Sequence, residues 1–154
     1  MKTTSGTKAV RASLEAYASR GVFRGLSVKS DSEFVFTWLT ERPMRFRFDT
    51  AKKTMRFRDL LPNVEANSHL YKDVKAFLDE RKSDELPQHR RIDSKRAEVA
   101  LTRRNGSVSL ALKVKRSDYD YGVNKIVNLV HDLFVHLHQS HFEYLTENFN
   151  VSQE

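Results

Sequence analysis

The spacing of apolar positions changes along the chain, and the changes mark its elements. Val10, Leu14 and Tyr17 recur at helical spacing among alanines, so 7–20 reads as a helix ended by Gly21. Residues 22–29 predict a short first strand and 29–32 a turn. From Glu33 to Glu41 the period is two: Phe34, Phe36 and Trp38 share one face, while Glu33, Val35 and Leu39 share the other. Arg42-Pro43 interrupts this run, because proline offers no ladder donor.

The next stretch, Met44 to Arg58, contains the tetrapeptide MRFR twice, at 44–47 and 55–58. Thr50-Ala51-Lys52-Lys53 separates the copies by a hairpin-length polar interval. In a hairpin pairing Phe46 with Phe57 and Phe48 with Met55, the apolar side chains share one face. Arg45 then lies opposite Arg58 and Arg47 opposite Arg56 on the other. Opposed like charges in a sheet are unfavourable by up to roughly 1 kcal/mol per pair. Glu33 and Glu41 on the preceding strand are the local candidates to neutralise them.

Pro62 to Asn67 reads as a loop and Ser68 to Lys82 as a second helix, with Leu70, Val74, Phe77 and Leu78 on one stripe. Residues 83–94 form a polar connection anchored by Leu86 and Ile92. Asn105-Gly106 then joins strands 95–104 and 107–116, being a strong hairpin signal. Val108, Leu110, Leu112 and Val114 point inward; Ser109, Ala111, Lys113 and Lys115 point outward. A final helix starts near Ser117, where Ser117-x-x-Asp120 resembles a capping box, and reaches about Asn148. Val123, Ile126, Val127, Val130, Leu133, Phe134, Leu137, Tyr144 and Leu145 give it one broad stripe. Thirty residues would span about 45 Å, so it must break near 139–141 or project.

The order is helix, four strands, helix, two strands, helix. This predicts one α+β domain over 1–154, with loose tails at 1–6 and 149–154 and helices on one face of an antiparallel sheet. In topology the order resembles the type III secretion chaperone-like fold, which is helix, three strands, helix, two strands, helix. That resemblance implies a small cytosolic homodimer that binds a partner protein, and it assigns no residues; the long amphipathic final helix is the surface expected to carry the dimer contact. Those chaperones are typically acidic; this chain is basic.

Composition adds three constraints. The absence of cysteine removes disulfides, thiolate metal sites and cysteine nucleophiles, and fits a cytosolic setting. No apolar run approaches the ~20 residues of a membrane span, and the polar N-terminus lacks a signal-peptide core, so no membrane association is expected. The net charge of +7 is segregated: residues 42–58 hold seven basic groups against one acidic, whereas 117–154 hold one basic against six acidic. A uniformly cationic chain would suggest nonspecific polyanion binding; the segregation instead lets part of the charge be neutralised within the fold or across a dimer.

The candidate anion or partner site is therefore Arg45, Arg47, Arg56 and Arg58, with Lys113 and Lys115. Solvation is the plain alternative for such a face. Lys52, Lys53, Arg103 and Arg104 would join it for nucleic acid. The hairpin phenylalanines face the core, however, and are lost to base stacking. His89, Arg90 and Arg91 form a compact polar loop cluster, able to hold a carboxylate or phosphate or simply to cap the second hairpin. His131, His136, His138 and His141 crowd the last helix, with 131/138 and 138/141 as the spaced pairs. His136 lies off the apolar stripe, and Asp132 and Glu143 lie off the histidine face, so no metal site is expected. No nucleotide, hydrolase or metalloprotease motif is present, and no cofactor is called for. The expectation is a non-enzymatic, chaperone-like protein-interaction module. Nucleic-acid or polyanion binding through the basic sheet face is the alternative.

Overall fold

Phe46 meets Phe57 and Phe48 meets Met55 across the central hairpin, the register that the repeated tetrapeptide predicts. In this computed structural model the described residues are 5–40, 42–81, 83, 85–87, 91–116 and 118–149. The elements in chain order are α1 (Ser5–Ser19), β1 (Arg24–Val28), β2 (Glu33–Thr37), β3 (Pro43–Asp49), β4 (Thr54–Leu61), α2 (His69–Glu80), β5 (Ala97–Arg104), β6 (Ser107–Val114), α3 (Tyr119–Ser140) and α4 (Phe142–Phe149). The strands form one antiparallel sheet in the order β1-β2-β3-β4-β6-β5. β6 rather than β5 pairs with β4, so the last hairpin joins through its second strand and leaves β5 at the edge. The fold is α+β, with the helices packed on one side of the sheet.

Alternation explains that sidedness. Phe34, Phe36, Phe46, Phe48, Met55, Phe57, Leu110 and Leu112 point to one face and are almost wholly buried. Each buried large side chain contributes roughly 1.5–3 kcal/mol relative to exposure. Edge-to-face rings knit the layer together: Phe46 and Phe57 lie 5.3 Å apart at 89°, and Phe36 and Phe57 lie 6.0 Å apart at 87°. Phe23 stacks on Phe36 at 4.1 Å and links α1 to this cluster through Tyr17.

Each helix sits where its stripe dictates. α1 ends in a Schellman motif: Val22 N–H donates to Tyr17 O and Gly21 N–H to Ala18 O, with Gly21 at φ +80°. In α2, Ser68 Oγ accepts the Tyr71 N–H and Val74, Phe77 and Leu78 are buried. In α3, the predicted stripe of Val123, Ile126, Val127, Val130, Leu133, Phe134 and Leu137 is buried. The final helix breaks at His141 (φ −138°), which resolves its excess length and starts α4. α4 folds back on the 62–67 loop, where Tyr144 Oη donates to Pro62 O and Asn63 Nδ2 to Asn148 Oδ1.

Several boundaries differ from expectation. α1 begins at Ser5, inside the expected loose tail, and Phe149, expected to open the other tail, ends α4 buried against Phe134. β2 stops at Thr37 because Leu39 adopts φ +69° and Thr40 N–H closes on Trp38 O at 2.8 Å, a γ-turn. Trp38 is nonetheless buried on the predicted face. Pro43 opens β3 rather than merely preceding it, the position where a missing donor costs a strand least. The N-cap of α3 is Asp118, whose side chain makes no capping bond; its carboxylate accepts from Arg96 Nε at 3.1 Å instead. Ser117 lies outside the described residues.

α3 approaches the sheet closely at Gly122, where a Cβ would lie 2.6 Å from Val114 Cγ1 and 2.8 Å from Met55 Cε. Gly122→Ala is therefore expected to destabilise the protein by about 1–3 kcal/mol despite alanine's better helix propensity. Urea unfolding of the two proteins measures this directly; a stabilised variant would show that the helix can lift freely.

Candidate functional site: the arginine face and its cleft

The face of the sheet turned away from the helices carries the arginines. Arg45 pairs in register with Arg58 and Arg47 with Arg56, as predicted. Glu33 continues the second row, in register with Arg47, and its carboxylate accepts from Arg58 Nη1 at 3.4 Å. This is the neutralising role expected of Glu33, although both side chains remain more than a third exposed, so the pair contributes little. Glu41 lies outside the described residues. Farther along that row, Ala111 is buried while its arginine neighbours are exposed, as expected where long aliphatic stems cover a small residue.

A β-bulge ends this regularity. Between Phe57 and Leu61 the β4–β6 register shifts, Asp59 takes φ +50°, and its N–H donates to Ser109 Oγ at 2.9 Å. Bulges twist a strand and re-aim its side chains. Beside this one opens a cleft of about 770 Å³ lined by Arg42, Pro43, Arg45, Arg58, Asp59, Arg104, Asn105 and Ser107. Four arginines from β3, β4, β5 and the β2–β3 link thus line one concavity with a single aspartate, while the Arg42 guanidinium itself leans toward α4, 5.8 Å from the centre of the Phe149 ring. Arg104 stands there because Asn105 and Gly106 (φ +53° and +79°) make the tight predicted turn.

The six predicted residues therefore separate. Arg45 and Arg58 line the cleft, and Arg47 and Arg56 lie on the adjoining open surface. Lys113 pairs in register with Thr54 and Glu98 at the far end of the sheet, and Lys115 Nζ lies 3.3 Å from Glu98 Oε1. Arg42 and Arg104 complete the cleft instead. Arg103 turns away and donates to Val64 O at 2.6 Å, which ties the loop before α2 to β5. Of the loop cluster, His89 and Arg90 lie outside the described residues; Arg91 N–H donates to Pro87 O, and Ile92 is buried as the expected anchor.

A second polar cluster escaped the sequence reading. His136 Nε2 and His141 Nε2 both meet Asp73 Oδ2, at 2.9 and 2.6 Å. Burial works to raise the Asp73 pKa, but hydrogen bonds from His141 and His136 outweigh it and hold the carboxyl below its usual range. His136, predicted to face away from the core, is half-buried because α2 docks there and stacks Phe77 on its ring. Arg81 and Asp132 bridge the same two helices at 3.4 Å. The spaced pairs suggested by α3 alone do not form: His131 and His138 are exposed, beside Asp132 and Phe142 respectively. One signal was present: His69 and Asp73 stand at i, i+4 on α2, a spacing that places them on one face.

Comparison with protein-family models, with curated proteins and with solved structures finds no match to this chain.

Replacing Arg47 and Arg56 together with threonine is expected to raise the urea midpoint at low ionic strength, because an opposed like-charge pair disappears and a good strand former enters. The gain should shrink toward ~0.5 M salt, where the Debye length falls to a few ångströms. A salt-independent loss of stability would show that the arginine stems, not their charges, matter.

Proposed function

We propose that this chain is a non-enzymatic, chaperone-like binding module that holds an acidic segment of a partner protein on the open face of its sheet. The cleft lined by Arg42, Arg45, Arg58 and Arg104 carries this reading. Guanidinium forks suit carboxylates in bidentate geometry. Among the described residues no carboxylate comes within 4.0 Å of the Arg45, Arg47, Arg56 or Arg104 guanidinium, although Glu33 stands in register with Arg47. The element order, which resembles that of the secretion chaperones, supports the same class of activity, and a cytosolic setting belongs to the proposal.

The second reading is binding of a nucleic-acid backbone, which the same guanidinium rows favour. Against it, the described outward strand positions hold no aromatic ring on which a base could stack. Homodimerisation belongs to the proposal through the element order. The apolar stripe of α3 is buried within one chain, so a two-fold contact would draw on other surfaces. A monomer mass by light scattering at high micromolar concentration would remove the dimer and leave the sheet-face reading intact.

Fluorescence anisotropy tests the reading with three probes: a glutamate-rich peptide, a single-stranded oligonucleotide and a duplex, each across a salt series. The peptide is expected to bind, and changing Arg42, Arg45, Arg58 and Arg104 to serine should abolish binding without loss of fold. Preferential oligonucleotide or duplex binding with a steep salt slope would favour the second reading. No binding of any probe at low salt would exclude both.

A further inference from the structure

We propose that Asp73, His136 and His141 form a binding site for a divalent transition ion of the zinc class, which staples α2 to the α3–α4 junction. The Asp73 carboxylate and the two imidazole Nε2 atoms all lie within 4.8 Å of one another. Three elements supply them: Asp73 from α2, His136 from α3, and His141 from the single residue separating α3 from α4. The break at His141 is what turns its ring toward α2.

Two Nε2 atoms converge on the one oxygen Oδ2, at 2.9 and 2.6 Å. That oxygen has two lone pairs and accepts both bonds, so an ion would take the place of the two hydrogen bonds. A cation at the centre of the three atoms gives each donor its own bond. Tetrahedral coordination with bonds of about 2.0–2.1 Å sets ligand atoms ~3.3 Å apart. Asp73 must therefore withdraw by roughly half an ångström from each imidazole, and the two Nε2 atoms, within 4.8 Å of one another, must settle at the same spacing. Each ring then holds its proton on Nδ1 and presents a lone pair at Nε2.

Chemistry and access agree with an ion of this class. Two imidazoles and one carboxylate, without thiolate, suit Zn²⁺ or Co²⁺ and not the all-oxygen preference of Mg²⁺ or Ca²⁺. The side chains are 12% exposed for His141 and 27% for Asp73 and His136, sheltered from bulk water yet reachable by an ion. His69 shares the α2 face of Asp73, and its ring centre lies 5.6 Å from that of His141, so a fourth position falls to His69 or to water. The site is separate from the arginine face and stands or falls independently of it.

The test uses the full chain after chelator treatment. Calorimetric titration with Zn²⁺ should show one ion per chain at micromolar affinity or better, with a higher Tm in its presence. Co²⁺ should develop the visible absorption of a tetrahedral centre. Asp73→Asn and His136→Gln, which keep the shape of the hydrogen bonds, should each weaken Zn²⁺ at least tenfold; Mg²⁺ should not compete. Should the variants misfold, side-chain ¹⁵N spectra of the unaltered protein decide: the Nε2 signals of His136 and His141 must shift on adding Zn²⁺. No stoichiometric uptake, uptake unchanged in both variants, or unshifted Nε2 signals would each overturn the proposal.

Discussion

The pairing of Phe46 with Phe57 is the contact on which the rest of the molecule depends. It sets the register of β3 against β4, and side chains alternate with a period of two. A slip of one residue would drive one strand's two arginines, Arg45 and Arg47 or Arg56 and Arg58, under the helices and turn that strand's apolar side chains to water. Burying unpaired guanidinium groups costs several kcal/mol each, far more than any turn preference can offset. The same contact therefore fixes the core, the helix-bearing side and the charged side together.

From that hairpin the sheet extends in two ways. Toward β1 it is a simple meander whose rings continue the aromatic layer through Phe36 and Phe23. Toward β5 it requires a crossover carrying α2, after which the chain enters at the edge and returns beside β4. α2 is consequently held by few apolar residues, namely Val74, Phe77 and Leu78, and by polar bridges from Arg81 and Asp73 to α3. A docking that relies on charged and imidazole groups responds to solution conditions more than an all-apolar one.

Much of this was legible in the residues. The hairpin register, the inward set of β6 and the stripe of α3 follow from periodicity, because neighbouring residues alone decide them. What could not be read depends on contacts distant in sequence. The β4–β6 pairing is chosen by tertiary packing, as strand propensity does not distinguish β5 from β6. The carboxylate between His136 and His141 comes from α2, 63 and 68 residues away. A search for acids on the histidines' own helix could not find it. The arginine cleft was half legible: Arg45 and Arg58 follow from alternation, but Arg42 and Arg104 join them through a bulge and a turn whose aim no pattern specifies.

The outward face of the sheet has almost no greasy surface to hide. Its strand positions are arginine, lysine, threonine, glutamate, aspartate, serine, alanine and one proline, with Val35 the notable aliphatic member. An encounter there lacks the dehydration of apolar area that gives most interfaces a large negative heat-capacity change and a slow departure. Its character is instead that of long-range steering: rapid capture, rapid release and strong dependence on ionic strength. Such a surface suits a partner that is handed on rather than kept.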